Sequence, residues 1–110
     1  MKAMDPSLED SVFRQLAKAA GLIFVDLRAC HIPGSYLKMI PSSLARSCRW
    51  VPMIINSRRA VLVVDDPFEA LVYDREELAS LLGPPMDREL HLVITSPSAM
   101  DQFLKDRYPV

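Results

Sequence analysis

The chain has 110 residues, of which half are apolar and a quarter are charged, with a formal net charge of −1 and a pI near 6.1. These values exclude a disordered or fibrous protein and predict one globular domain over residues 1–110. A dedicated nucleic-acid-binding protein is also disfavoured, because such proteins need a basic surface. Apolar runs such as "AVLVV" are too short to enter a membrane as a span, and no signal-peptide pattern opens the sequence, so a cytoplasmic location is expected.

The first half of the chain predicts helices around one short strand. Apolar residues recur at helical spacing over residues 7–20, and Gly21 follows where a helix would end, which predicts a first helix there. The run "LIFVDL" at residues 22–27 is rich in branched and aromatic residues and predicts a short strand. Residues 35–49 have helical spacing but contain Pro41, which predicts two short helices with this proline in the first turn of the second.

From Trp50 the apolar pattern becomes that of strands. The runs "WVPMII" and "AVLVV", joined by "NSRR", predict a hairpin with its first strand at a sheet edge and its second in mid-sheet. The residues after Pro67 predict a helix that breaks near Asp74, a residue suited to cap a second segment. The run "ELHLVIT" predicts a further strand, and "SPS" after it predicts the start of a last helix.

This order of elements predicts the α/β class. We expect a compact single-domain sandwich with a small mixed sheet of three to four strands, a central hairpin and four to five flanking helices.

Four stretches of the chain, taken in order, resemble the N-terminal domain of type II secretion ATPases and type IV pilus assembly ATPases. They are "LAKAAGLIFVDL", "PSSLARSCRWVPM", "AVLVVDDP" and "LHLVITSPSAMDQFLKDRY". The matching residues lie within about residues 16–108 and are Gly21, Phe24, Val25, Asp26, Leu27, Ile40, Pro41, Leu44, Ala45, Arg46, Val51, Pro52, Val63, Asp66, Pro67, Ser96 and Tyr108. The resemblance implies a non-catalytic docking or regulatory domain, which contacts a cytoplasmic or inner-membrane protein partner of a secretion or pilus machine.

Two features of that family have no counterpart in this sequence. The chain has no GxxxxGK[ST] phosphate loop, so it has no route to ATP hydrolysis of its own. It also contains no Arg-Leu-Gly, with which the paired cyclic di-GMP motif of many relatives begins. Because Met1 opens the chain and the family unit closes near Tyr108, we expect either a freestanding member or a part of a larger ATPase.

The stretch "VLVVDDP" has two interpretations. Paired acids after a strand are typical of a metal site or of the phosphorylation pocket of a receiver domain. A receiver also needs an acceptor aspartate after a later strand, but the strand that follows here ends in Thr95 and Ser96. We therefore expect Asp65 and Asp66 to leave the strand for solvent, with Asp66 bonding backbone N–H groups of a turn before Pro67 starts a helix.

No set of residues predicts catalysis or metal binding. His31 and His91 have no second ligand at metal-binding spacing, and Cys30 and Cys48 form no CxxC pair. The sequence therefore predicts no enzyme, no metal and no catalytic residue.

Charge is divided unevenly along the chain. No acidic residue occurs between Leu27 and Val64, whereas residues 65–77 contain six acidic residues and one arginine. In one interpretation the basic segment pairs with the acidic segment inside the fold. In the other, the partner-binding surface consists of Arg46, Arg49, Trp50, Arg58 and Arg59, because arginine pairs well with carboxylates or phosphates and an aromatic residue is a common anchor.

The partner-binding interpretation leaves two functional classes open. The favoured one is protein docking without a cofactor. The alternative is a small-ligand sensor, in which the same arginine-rich segment binds cyclic di-GMP.

Overall fold

The structure, a computed structural model, describes residues 6–68 and 74–108 and has the predicted α/β class. The helices are α1 (Pro6–Ala19), α2 (Gly34–Leu37), α3 (Ser42–Cys48), α4 (Arg75–Leu82) and α5 (Pro97–Arg107), with a 3₁₀ turn at Leu27–Ala29. The strands are β1 (Val51–Ile55), β2 (Arg59–Val64) and β3 (Glu89–Ile94).

The three strands form one mixed sheet in the order β1-β2-β3. β1 and β2 form the predicted antiparallel hairpin, and β3 pairs in parallel with β2, which is therefore central. The strand predicted at residues 22–27 is reduced to a bridge between Phe24 and Ile94, because the chain turns at once into the 3₁₀ turn, where the Asp26 side chain accepts a hydrogen bond from the Arg28 N–H.

Two prolines affect the start of α3 and the pairing of β1. Pro41 separates α2 from α3 as predicted, but it is the N-cap of α3 and not a residue of its first turn. In β1 the pairing register shifts between Pro52 and Ile54, because proline has no N–H to donate to the ladder. Asp74 caps α4 as predicted, while residues 69–73 of the helical segment predicted before it lie outside the described residues.

The core surrounds the central strand. Ala60, Leu62 and Val64 are fully buried, and Val63 on the other face of β2 is fully buried as well. The strand is thus enclosed on both faces over its second half, as its unbroken apolar sequence predicted.

α1 contacts the rest of the fold through polar groups as well as through buried Ala17 and partly buried Phe13. Glu9 accepts two hydrogen bonds of 2.8 Å from the backbone N–H and the hydroxyl of Ser98, at the start of α5. The Arg14 guanidinium lies 4.5 Å from the centre of the Phe24 ring. On its apolar side only part of the predicted stripe is covered, since Leu8, Val12 and Leu16 remain exposed.

Candidate docking surface

The five residues predicted to bind a partner lie at two ends of the β1–β2 hairpin. Arg46, Arg49 and Trp50 precede β1, whereas Arg58 and Arg59 follow it in the turn and at the start of β2. A five-residue strand separates the two groups, which at about 3.3 Å per residue is roughly 15 Å. The topology therefore does not bring the five together.

Arg49 is engaged inside the fold. Its Nε atom donates to Asp65 at 2.7 Å, and its Nη2 atom lies 2.6 Å from Asp101 and donates to the Pro97 carbonyl at 3.3 Å. Burial by itself lowers the pKa of Arg49, but hydrogen bonds to the two carboxylates outweigh this and raise the pKa above its ordinary value. For this arginine, the interpretation of pairing between the basic and acidic segments is confirmed.

Arg58 and Arg59 lie in and after a turn organised by Asn56. The Asn56 side-chain oxygen accepts hydrogen bonds of 2.9 Å from the backbone N–H groups of both arginines. Both residues are exposed, and within residues 6–68 and 74–108 no carboxylate lies within ion-pair distance of either guanidinium. The two arginines are thus fixed by their backbone while their charges face solvent.

A buried arginine, Arg88, supports the same turn. Its guanidinium donates to three backbone carbonyls, those of Asn56 at 2.7 Å, Gly83 at 3.0 Å and Pro84 at 3.1 Å. The Asn56 carbonyl belongs to the turn that carries the exposed arginines, so Arg88 positions that turn without contacting solvent extensively. Sequence reasoning missed this residue, since nothing local distinguishes it from a surface arginine.

An apolar groove of about 540 Å³ opens beside Arg59 on one face of the sheet. Its apolar lining includes Leu22, Ile23, Val25, Met53, Val61 and Val93. Arg59 and His91 add polar groups to it, and the parallel pairing of β2 with β3 places His91 beside Val61. Ile23 is 68% exposed, which leaves a large apolar side chain in water at this groove.

Asp65 and Asp66, the two acidic residues after β2, make contacts within the fold. Asp66 accepts a hydrogen bond of 2.9 Å from the Phe68 N–H, as predicted for a turn before a helix. Asp65 does not face solvent as expected, because it is paired with Arg49 and largely buried.

The structure offers little for other chemistry. No group of three His, Cys, Asp or Glu side chains suited to a metal occurs among the described residues. Burial, together with the nearby Asp26 charge, raises the pKa of the Cys30 thiol, which makes it a poor nucleophile at neutral pH. Over the same part of the chain, no helix is long and apolar enough to cross a membrane.

These features define a small α/β domain with a polar-rimmed groove, and comparison with known proteins gives its family. The MshEN domain model matches residues 20–110, so the chain belongs to the MshEN domain family, a non-catalytic N-terminal domain of secretion and pilus ATPases. The resemblance predicted from sequence is confirmed.

Solved structures agree with this assignment at the level of fold. Eight chains match, and one of them is described as "Structure of MshE with cdg", where the TM-score is 0.69 and the sequence identity 23%. The match covers 88% of this chain and 66% of that chain. Among curated proteins, no match was found.

Proposed function

We propose that this domain docks a secretion or pilus motor onto a protein partner, in the cytoplasm or at the inner membrane, and transmits conformational state by contact. Membership of the MshEN family supports the motor context. The observation that supports docking is the exposed pair Arg58 and Arg59, of which Arg59 also lines an open apolar groove. Of the other predicted residues, Arg46 and Trp50 remain candidates at the far end of the hairpin.

Such a surface has the two properties that protein recognition uses. Burying apolar area supplies affinity, while charges at the rim select and orient the partner. Arginine suits this role because its planar guanidinium can bond both oxygens of a carboxylate.

Co-purification tests the docking proposal. The tagged domain is incubated in turn with each protein encoded beside its gene, and recovery is compared between the wild type and the double variant Arg58→Ala with Arg59→Ala. We expect about a tenfold loss of affinity, corresponding to two rim pairs of about 0.7 kcal/mol each. The double variant Lys38→Ala with Lys105→Ala removes the same charge from exposed sites elsewhere and should bind normally. Equal recovery by both variants would contradict the proposal.

A second candidate function is that of a cyclic di-GMP sensor. It is favoured by the relative whose structure was solved with cdg and by the acid-free segment between residues 27 and 64. Guanidinium groups form short, charge-assisted bonds with phosphate oxygens, so exposed arginines suit such a ligand.

An amide NMR titration with cyclic di-GMP, and separately with ATP, at low and moderate salt tests the sensor function. Shifts confined to residues 46–59 that weaken as salt rises would support a nucleotide sensor. The absence of shifts at millimolar ligand would reject it and leave docking as the function to pursue.

A further inference from the structure

We infer that the outer edge of β3, the side turned away from β2, binds an extended segment of a protein partner as an added strand; this inference rests on the proposed docking function. The bridge between Phe24 and Ile94 occupies only the end of that edge. There Ile94 accepts a hydrogen bond of 2.8 Å from the Val25 N–H and donates one of 2.9 Å to the Ile23 carbonyl. The pairing that the chain itself begins at this edge thus stops after one residue of β3.

Two further residues of β3 present backbone groups to the same edge. In a strand, the N–H and C=O groups of successive residues point to opposite sides, and Glu89 and Thr95 donate toward the β2 side. Leu90 and Leu92, like Ile94, therefore point outward. Within residues 6–68 and 74–108, their N–H and C=O groups have no hydrogen-bond partner on that side. The edge thus offers two donors and two acceptors at the spacing that an extended peptide backbone matches.

The groove of about 540 Å³ follows this edge. Residues 90–93 all line it, although the side chains of a strand alternate between two faces, so the backbone of β3 itself forms part of the wall. Ile23, Val25, Met53 and Val61 add apolar side chains. An added strand would place every second side chain on this aliphatic surface, so the partner segment should have apolar residues at alternate positions.

The two edges of the sheet differ in how they resist strand addition. Natural sheets protect an edge with proline, with an irregularity in the pairing or with charge. β1 contains Pro52 and a register shift beside it. Between Glu89 and Ile94, β3 has no proline and pairs with β2 without a shift. The outer edge of β3 is therefore the one that can accept a further strand.

The position of Arg88 favours a partner segment over a second copy of this chain. If two copies paired antiparallel, with Leu90 opposite Leu92, Arg88 of each copy would lie across from Ile94 of the other. Residues 23–25 already occupy that position. Arg88 is held in place, because its side chain is buried and bonded to three carbonyls. A short segment of another protein avoids this conflict.

Amide hydrogen exchange tests the edge on the whole chain. Before any peptide is added, the Leu90 and Leu92 amides should exchange about tenfold faster than those of His91 and Val93, which point toward β2. Linear peptides that the protein selects from a random display library then serve as the probe. We expect a bound peptide to slow exchange at Leu90 and Leu92 about tenfold and to leave His91 and Val93 unchanged.

Two further comparisons separate backbone pairing from apolar burial. N-methylation of the peptide should weaken binding about tenfold at every second position and little at the positions between, because only alternate N–H groups of an added strand face β3. Ile23→Asp should weaken the peptide about tenfold, because it places a charge in the groove. Leu8→Asp makes the same change at an exposed site outside the groove lining and should leave the affinity unchanged. An amide NMR spectrum checks that both variants are folded.

The inference is overturned if the library yields no binding peptide, if bound peptides leave the Leu90 and Leu92 amides unprotected, or if N-methylation shows no alternation. It is also overturned if the chain forms a dimer that protects those amides, because a second copy then fills the edge, or if cyclic di-GMP protects them and peptides do not. The co-purification test compares variants of Arg58 and Arg59 and does not depend on this edge. A wrong assignment of the edge can therefore be distinguished from a wrong assignment of docking.

Discussion

Arg49 and Asp65 form a two-pronged ion pair in which Nε and Nη2 of the arginine lie 2.7 and 2.6 Å from the same carboxylate oxygen. The Asp65 side chain is only 11% exposed, so its charge depends on this partner for compensation. The pair joins the end of α3 to the end of β2. Asp101 extends it to α5, so that one guanidinium connects three elements of the fold.

We predict that Arg49→Ala lowers the free energy of unfolding by about 2 to 4 kcal/mol, because it leaves a largely buried carboxylate unpaired. Arg49 also adopts a left-handed conformation, with φ of 59°. Arg49→Gly removes the same ion pair but fits that backbone better, so it should cost about 1 kcal/mol less than alanine. Urea unfolding measures both variants.

Arg46→Ala provides the control for the Arg49 variants, since Arg46 lies on α3, the helix that ends at Arg49, and has no ion pair within the described part of the chain. We expect it to change stability by no more than about 0.5 kcal/mol. A loss at Arg49→Ala no larger than this would show that Asp65 finds compensation elsewhere.

Arg88 should not tolerate lysine. Its three carbonyl acceptors lie in different directions, and a planar guanidinium can reach them together whereas an ammonium group cannot. We expect Arg88→Lys to lower the free energy of unfolding by about 2 kcal/mol and Arg88→Met by about 3 kcal/mol, because these backbone carbonyls lose the donor that they have in the fold. Thermal unfolding checks the order of stability, and a lysine variant as stable as the wild type would contradict this role.

Most elements of this fold could be predicted because their signals are local. Helix starts at Asp74 and Ser96, and the change from helical to strand-like spacing of apolar residues at Trp50, can each be predicted from a few neighbouring residues. Asp74 caps α4 as predicted, accepting from two backbone N–H groups, and the last helix begins after Ser96 as predicted, with the Ser96 hydroxyl accepting from one N–H. The order of matching motifs also predicted the family.

The arrangement of the candidate site could not be predicted in the same way, because it depends on which strands pair. Arg49 and Arg58 both lie in the acid-free segment, yet the tertiary structure places one against two carboxylates and the other in solvent. The groove likewise arises from three segments distant in the chain. Burial of Arg88 runs against the usual exposure of arginine and follows from carbonyls that only tertiary structure brings together.

The contact between α1 and α5 should add modestly to the free energy of unfolding, partly through the negative charge of Glu9. The Glu9 carboxylate accepts from the Ser98 N–H at the start of α5, where the helix dipole favours an anion. We expect Glu9→Gln to cost about 0.5 to 1 kcal/mol and Ser98→Ala about the same. In a double-mutant cycle the two losses should add only in part, since both weaken the bond between the Ser98 hydroxyl and Glu9, whereas the bond from the Ser98 N–H survives Ser98→Ala. Full additivity would show that Glu9 and Ser98 act independently.

Tyr108 should make stability fall at high pH. Its hydroxyl donates a 3.0 Å hydrogen bond to the Leu37 carbonyl, and burial raises its pKa to about 12, with Arg107 opposing the shift. An unfolded tyrosine titrates near pH 10. The folded state therefore holds this proton more tightly, so the stabilisation is complete below about pH 10 and is lost as pH rises toward 12. We expect Tyr108→Phe to lower the free energy of unfolding by about 1 kcal/mol at pH 7 and to show a shallower decline of that free energy between about pH 10 and pH 12. Parallel declines in both proteins would assign the alkaline loss to other groups.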